Sequence, residues 1–172
     1  MKTLFIALIG FFLSVTLTGA EEPTTAPSKQ MIVDVKNASV EIAGKVFALG
    51  TSADALVAQL GKPDTEDEDD EGGDVLFDYM ESLGFSAIAR DGKLNEFHFF
   101  LRRTPERTFE HAPANVKTIE GIGVNSTREQ IEKAYGKPDS VHGTEVVFLT
   151  YGKTTFGLDK DGLKVIFMMN EW

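Results

Sequence analysis

The sequence predicts an α+β fold of two tandem units, each a short helix followed by a three-stranded antiparallel meander, forming a largely antiparallel sheet with both helices on one face. Three observations carry this expectation. Leu49–Asp64, LGTSADALVAQLGKPD, recurs as Val124–Asp139, VNSTREQIEKAYGKPD. Each copy leads into segments rich in aromatic and β-branched residues, and each of those sets contains an Asp-Gly pair, Asp91-Gly92 and Asp161-Gly162, of the kind that closes tight hairpins. Repetition at this period marks supersecondary units that stack on a common core.

Before the first unit, Met1–Ala20 carries Lys2 as its only charge, an apolar run from Leu4 to Leu17, and a small-residue end at Thr18-Gly19-Ala20. This pattern predicts a signal peptide cleaved after Ala20 and delivery to the periplasm or the extracellular medium. The apolar run is shorter than the roughly 20 residues that span a bilayer, and no basic stop signal follows it, so no stable membrane anchor is expected after cleavage. Lipid attachment would need a thiol where Ala20 stands. With no cysteine in the chain, an exported protein must hold together through its core alone, and the remaining length of about 150 residues suffices to bury roughly 70% of the unfolded surface. The net charge of −10 becomes one unit more negative without Lys2, which disfavours nucleic acid and anionic lipid as partners.

Residues 21–30 are polar, with two prolines and no apolar periodicity, and read as a flexible leader. From Met31 the pattern turns to strands, MIVDV and then SVEIAGKVFAL, with Ala43-Gly44 interrupting the alternation. The first unit, 31–101, takes in these strands. In each repeat Thr51 or Ser126 is expected at the helix N-cap, with Asp54 or Glu129 three positions on completing a capping box. Gly61 and Gly136 supply the positive-φ residue that ends the helix, and Pro63 and Pro138 prevent its resumption. The Gly-Lys pairs are not phosphate loops, because those place glycines before a helix rather than after one.

Three strands are expected after each helix: VLFDY, LGFSAIA and LNEFHFFL, then VVFLTY, TTFGL and LKVIFMM. The proline-punctuated stretch 102–116 reads as a linker, and 117–172 as the second unit.

A helix ending in Leu-Gly-x-Pro or Tyr-Gly-x-Pro and followed by an antiparallel meander resembles a superfamily of bacterial envelope and secreted modules. It includes the SmpA/OmlA (BamE) type of outer-membrane lipoprotein and the β-lactamase inhibitor protein type. The tandem arrangement is more similar to the second, in which two such units form one sheet that grips a partner. Phe77-Asp78-Tyr79, Leu83-Gly84-Phe85 and Asp91-Gly92-Lys93 are most similar to tandem bacterial domains without an assigned role. The resemblance covers roughly residues 39 to 169 and implies a binding module. It transfers no site residues.

No constellation in the sequence carries catalysis. There is no Gly-x-Ser-x-Gly, no cysteine nucleophile, and no evident cleft to hold a carboxylate pair. His98, His111 and His142 lack the close spacings of zinc sites. No cofactor and no metal site is expected. The acidic run 64–74, DTEDEDDEGGD, reads as a solvated loop inserted in the first repeat. Its alternate reading is a divalent-cation or small-ligand sensor, since Asp67, Asp69 and Glu71 precede Gly72 at calcium-loop spacing. Strand parity points elsewhere. Counting alternately, Phe97, Phe99 and Leu101, with Leu163, Val165, Phe167 and Met169, form the core row. Glu96, His98, Phe100, Lys164, Ile166 and Met168, with Trp172 in phase, form an outward row. His98, Phe100, Ile166, Met168 and Trp172 are therefore the expected contacts for a protein partner, with the N-terminal strands or a homodimer as the competing cover.

Overall fold

The computed structural model of the 172-residue chain describes residues 30–68, 73–102 and 114–170. The expected signal peptide, nearly all of the leader, the middle of the acidic run, His111 and Trp172 lie outside them. Among the described residues the fold is mostly β-sheet with two helices: a four-stranded sheet of order β3-β2-β1-β8 and an eight-stranded sheet of order β4-β5-β6-β7-β12-β11-β10-β9.

The chain enters the small sheet through β1 (Met31–Asp34), β2 (Ser39–Ile42) and β3 (Lys45–Ala48). Asp34 makes the first turn by accepting the Lys36 and Asn37 N–H groups, each at 3.1 Å. Ala43 and Gly44, at φ 52° and 81°, make the hairpin turn that interrupts the sequence alternation. The expected linker 102–116 requires correction, because its last residue opens β8 (Val116–Thr118), which pairs in parallel with β1. A strand this short leaves almost no periodic signal: only buried Val116 and Thr118 flanking exposed Lys117.

Both helices, α1 (Ala53–Leu60) and α2 (Arg128–Tyr135), are too short to persist alone and depend on docking. Their N-caps lie one residue beyond the expected positions. Ser52 caps α1 without any side-chain bond. Instead the Gly92 carbonyl, at the tip of a hairpin, accepts the Ala53 N–H at 2.9 Å, so tertiary structure replaces the capping box. Thr127 caps α2, and Gln130 rather than Glu129 completes a reciprocal box: Thr127 Oγ1 accepts the Gln130 N–H, and Gln130 Oε1 accepts the Thr127 N–H. Ser126 is occupied otherwise, its hydroxyl accepting the Gly123 N–H. At the other end Gly61 and Gly136 have φ of 92° and 82°, with ψ near extended, a combination that only glycine adopts easily.

The Asp of each Gly-Lys-Pro-Asp does more than follow a helix stop. Asp64 Oδ2 accepts the Glu81 and Ser82 N–H groups, and Asp139 Oδ2 accepts the Gly152 N–H at 2.7 Å. Tyr79 and Tyr151 donate their hydroxyls back to the Gly61 and Gly136 carbonyls. Each helix end is thereby latched to the turn that closes the second strand after it, through bonds worth about 1 kcal/mol apiece.

Four strands follow each helix, not three. β4 (Thr65–Glu68), β5 (Asp74–Tyr79), β6 (Phe85–Arg90) and β7 (Lys93–Phe100) come after α1, and β9 (Ser140–His142), β10 (Val147–Tyr151), β11 (Thr154–Asp159) and β12 (Gly162–Met169) after α2. The acidic stretch is thus not wholly an inserted loop. Its first part is the edge strand β4, exposed throughout and paired with β5, as β9 pairs with β10 at the opposite edge. High charge hid this strand, since Asp and Glu are depleted from strand interiors but suit an edge that must not pair further.

The two Asp-Gly hairpins also differ. Asp91 and Gly92 both have positive φ, 50° and 70°, whereas in the second only Gly162 does, at 102°. The two halves of the large sheet meet at β7 and β12, which pair antiparallel from Glu96–Met169 to Phe100–Val165. One main core, between the large sheet on one side and the small sheet and helices on the other, takes Met31, Val40, Phe47, Leu56, Phe85, Phe97, Phe99, Ile131, Phe156, Ile166 and Met168.

Candidate functional site

Register decides which side chains reach the second face of the large sheet. β6 pairs with β7 through Ala89–Leu94 and then Ile88–Glu96, skipping Asn95. β11 pairs with β12 through Leu158–Leu163 and then Gly157–Val165, skipping Lys164. Each skip is a β-bulge, and a residue inserted into a period-2 pattern transfers every later side chain to the opposite face. In β7 the expected rows hold from Glu96 onward. In β12 they invert: Leu163 points into the core, then Val165 points out, Ile166 in, Phe167 out, Met168 in and Met169 out.

Two of the expected contacts are therefore misplaced. Ile166 and Met168 are fully buried in the main core, while Val165 and Phe167 belong to a separate cluster on the outer face. His98 and Phe100 do face outward; Trp172 lies outside the described residues. Counting from Leu163 fails because both faces of β12 are apolar, so no polar residue betrays the shift. Gly157 was the available clue, since an isolated glycine inside a strand marks a bulge or a close approach.

Across the outer face, one cross-strand row runs through all eight strands: Thr65, Asp78, Ser86, His98, Phe167, Thr155, Thr150 and Ser140. His98 and Phe167 form its centre, packed edge to face with ring centroids 4.9 Å apart. His98 Nε2 lies 2.9 Å from Glu96 Oε2, which answers a carboxylate that is only 8% exposed. Thr150 and Thr155 hydroxyls bond to each other at 3.1 Å.

Beside this row lies an apolar cluster of buried Met80, Phe100 and Val165, with half-buried Phe148 and Phe167 against it. Phe167 contacts both Phe100 and Phe148, at centroid distances of 6.5 and 6.4 Å. Gly157 makes the arrangement possible: a Cβ there would stand 2.5 Å from Val165 Cγ1 and 2.9 Å from Phe148 Cε1. Both helices give their buried side chains to the main core, and none joins this cluster. The same face carries carboxylates toward its β4 side, at Asp67, Asp78 and Glu96, and at Asp74, which pairs with Arg90 at 2.7 Å.

The remaining histidine among the described residues, His142, is exposed on β9. Among the described residues no group of three or more His, Asp or Glu side chains could hold a metal ion. Asp67, the first acid of the calcium-like spacing, sits in strand β4 opposite Leu76; Asp69, Glu71 and Gly72 lie outside the described residues. No described helix is long and apolar enough to cross a membrane.

No protein-family model and no curated protein matches the chain. A solved structure described as an extracellular protein containing a SCP domain, from Bacillus anthracis, is similar at 12% identity and a TM-score of 0.45, with 72% of this chain covered. The match spans 44% of that protein's length.

Proposed function

We propose that this is an exported, non-catalytic binding protein, built from two copies of a helix-plus-four-strand unit, that recognises a protein partner on the outer face of its large sheet. The observation that carries the reading is the aromatic and aliphatic cluster around Phe167 on the side away from both helices. Met80, Phe100 and Val165 are themselves buried, but half-buried Phe148 and Phe167 leave the edge of the cluster in contact with solvent, and an apolar patch rimmed by polar side chains is the usual mark of a recognition surface. The signal-peptide pattern and the resemblance to sheet-gripping envelope modules support the same reading.

The size is adequate. The eight strands hold 46 residues, which at about 3.4 Å per residue and about 4.8 Å spacing give a face of roughly 750 Å², close to the roughly 800 Å² per partner of a standard interface. The chemistry defines the complement: an apolar projection seated on Phe148 and Phe167, hydroxyl and amide groups meeting the Ser–Thr row, and a basic residue opposite Asp67.

Capture from envelope extract and culture medium tests this, with the wild type compared to Phe148→Asp and Phe167→Asp. The wild type retains a discrete partner, and each substitution lowers its recovery about tenfold or more, as expected for an aromatic anchor. Undiminished capture by both variants, with their circular dichroism unchanged, defeats the assignment.

A further inference from the structure

A second concave feature lies away from this face. The end of α2, the β1–β2 turn and the β10–β11 turn enclose a cleft of about 640 Å³. Its walls carry Lys36, Lys137 and Lys153, and its apolar lining is provided mainly by Leu49, Tyr135 and Tyr151. None of the three lysines joins an ion pair among the described residues. Lys153 Nζ donates to the neutral Asn170 Oδ1 at 2.8 Å. One carboxylate, Asp139, lines the same cleft, and it accepts the Gly152 N–H as part of the helix latch. The lining is therefore net positive.

Three ammonium groups without an ion pair gather about one hollow, with the Asp34 carboxylate near Lys36 alone, and in a chain of net charge −10 no general excess of basic residues accounts for their gathering. The tyrosine hydroxyls are already engaged, Tyr151 with the Gly136 carbonyl and Tyr135 with Glu120. Burial and the Glu120 carboxylate hold the Tyr135 phenol far above its ordinary range, so it stays a donor. What the tyrosines offer a ligand is the part of the half-buried Tyr135 ring not stacked on Phe156, and the edge of buried Tyr151. The equivalent place beside Asp64 is different: the turn there carries Glu81 and Ser82, whose N–H groups Asp64 accepts, where the second copy has Gly152-Lys153. The Gly152-Lys153 wall of the cleft has no counterpart in the first copy.

We infer that this cleft binds a small aromatic oxyanion, a phosphate or carboxylate on a flat apolar body, with Lys36, Lys137 and Lys153 meeting the charge and the Tyr135 and Tyr151 rings meeting the body. Amide-resolved NMR titration of the full chain with phenyl phosphate, benzoate and phenol tests it. Phenyl phosphate or benzoate gives saturable shifts at the amides of Asn37, Lys137, Gly152 and Lys153, phenol gives weaker ones, and Lys137→Glu or Lys153→Glu weakens anion binding about tenfold, the scale of one charged hydrogen bond. Phe167→Asp leaves the titration unchanged, which separates this site from the sheet face. Lack of saturation by about 10 mM of either anion, shifts centred elsewhere, or undiminished binding in the doubly substituted chain overturns the inference. Unperturbed amides outside the cleft establish that the variants are folded.

Discussion

Met168 and Met169 are adjacent, chemically identical and on opposite faces of β12, so truncating each to alanine reads the register directly. Met168 is fully buried in the main core, and Met169 is half-buried on the outer face. Removing a buried methionine side chain forfeits its transfer free energy and leaves a cavity, about 2–5 kcal/mol in comparable sites. Met169→Ala removes a side chain that still touches water and can be replaced by solvent, so less than about 1 kcal/mol is expected. Urea unfolding followed by circular dichroism measures both. With a denaturant slope of about 2 kcal/mol per molar, a 3 kcal/mol loss moves the midpoint of Met168→Ala down by about 1.5 M, and Met169→Ala moves it by less than about 0.5 M. A larger loss for Met169→Ala than for Met168→Ala would refute the bulge at Lys164, and with it the composition of the outer face.

Three further outcomes follow from the same geometry. Gly162→Ala places a Cβ 2.7 Å from the Asn125 carbonyl oxygen at φ 102°, while Gly92→Ala at φ 70° meets nothing within 4 Å; thermal unfolding should show about 1 kcal/mol lost for Gly92→Ala and clearly more, above about 2 kcal/mol, for Gly162→Ala. At Asp159 burial pushes the carboxyl's pKa up, but the hydrogen bond from Arg102 at 2.6 Å, with the Asp161 N–H and nearby cations, outweighs it and holds the group below its ordinary value. A depressed carboxylate stabilises the fold above the unfolded pKa of about 3.9 and loses that contribution as pH falls through the folded value, so the stability gap between wild type and Asp159→Asn should be full above about pH 5 and close in stronger acid. Because Asp67 lies in a paired edge strand, calorimetric titration with calcium should give the same heat for the wild type as for a chain lacking Glu66–Glu71; saturable heat lost on deletion would restore the cation-sensor reading.

What was legible in the sequence was whatever local chemistry determines. The C-terminal ends of both helices and six of the meander strands follow from Gly, Pro, Asp-Gly and alternating apolar residues, each of which acts within a few positions, whereas Ala43-Gly44 left strand and hairpin both open. The rest depends on distant partners. Ala53 is capped by Gly92 across the fold, so Thr51 and Asp54 form no box despite the right spacing. β8 exists because β1 is there to pair with it in parallel, and β4 because β5 offers its edge to a charged segment. The outer face was half legible for a sharper reason. His98 and Phe100 follow a bulge that Glu96 makes visible as a polar residue on the outward side, but after the matching bulge at Lys164 both faces are apolar, and the period-2 pattern contains no phase.

The claim that most needs testing is that the surface around Phe167 is where another protein sits. A photo-crosslinking phenylalanine analogue placed at Phe167 in the full chain, expressed in its native host, tests it most directly, with the same group at Ile119, 62% exposed beyond the small sheet, as the control. The account predicts one discrete crosslinked species from position 167 and none from position 119. No adduct at 167, or the same adducts from both positions, would contradict it.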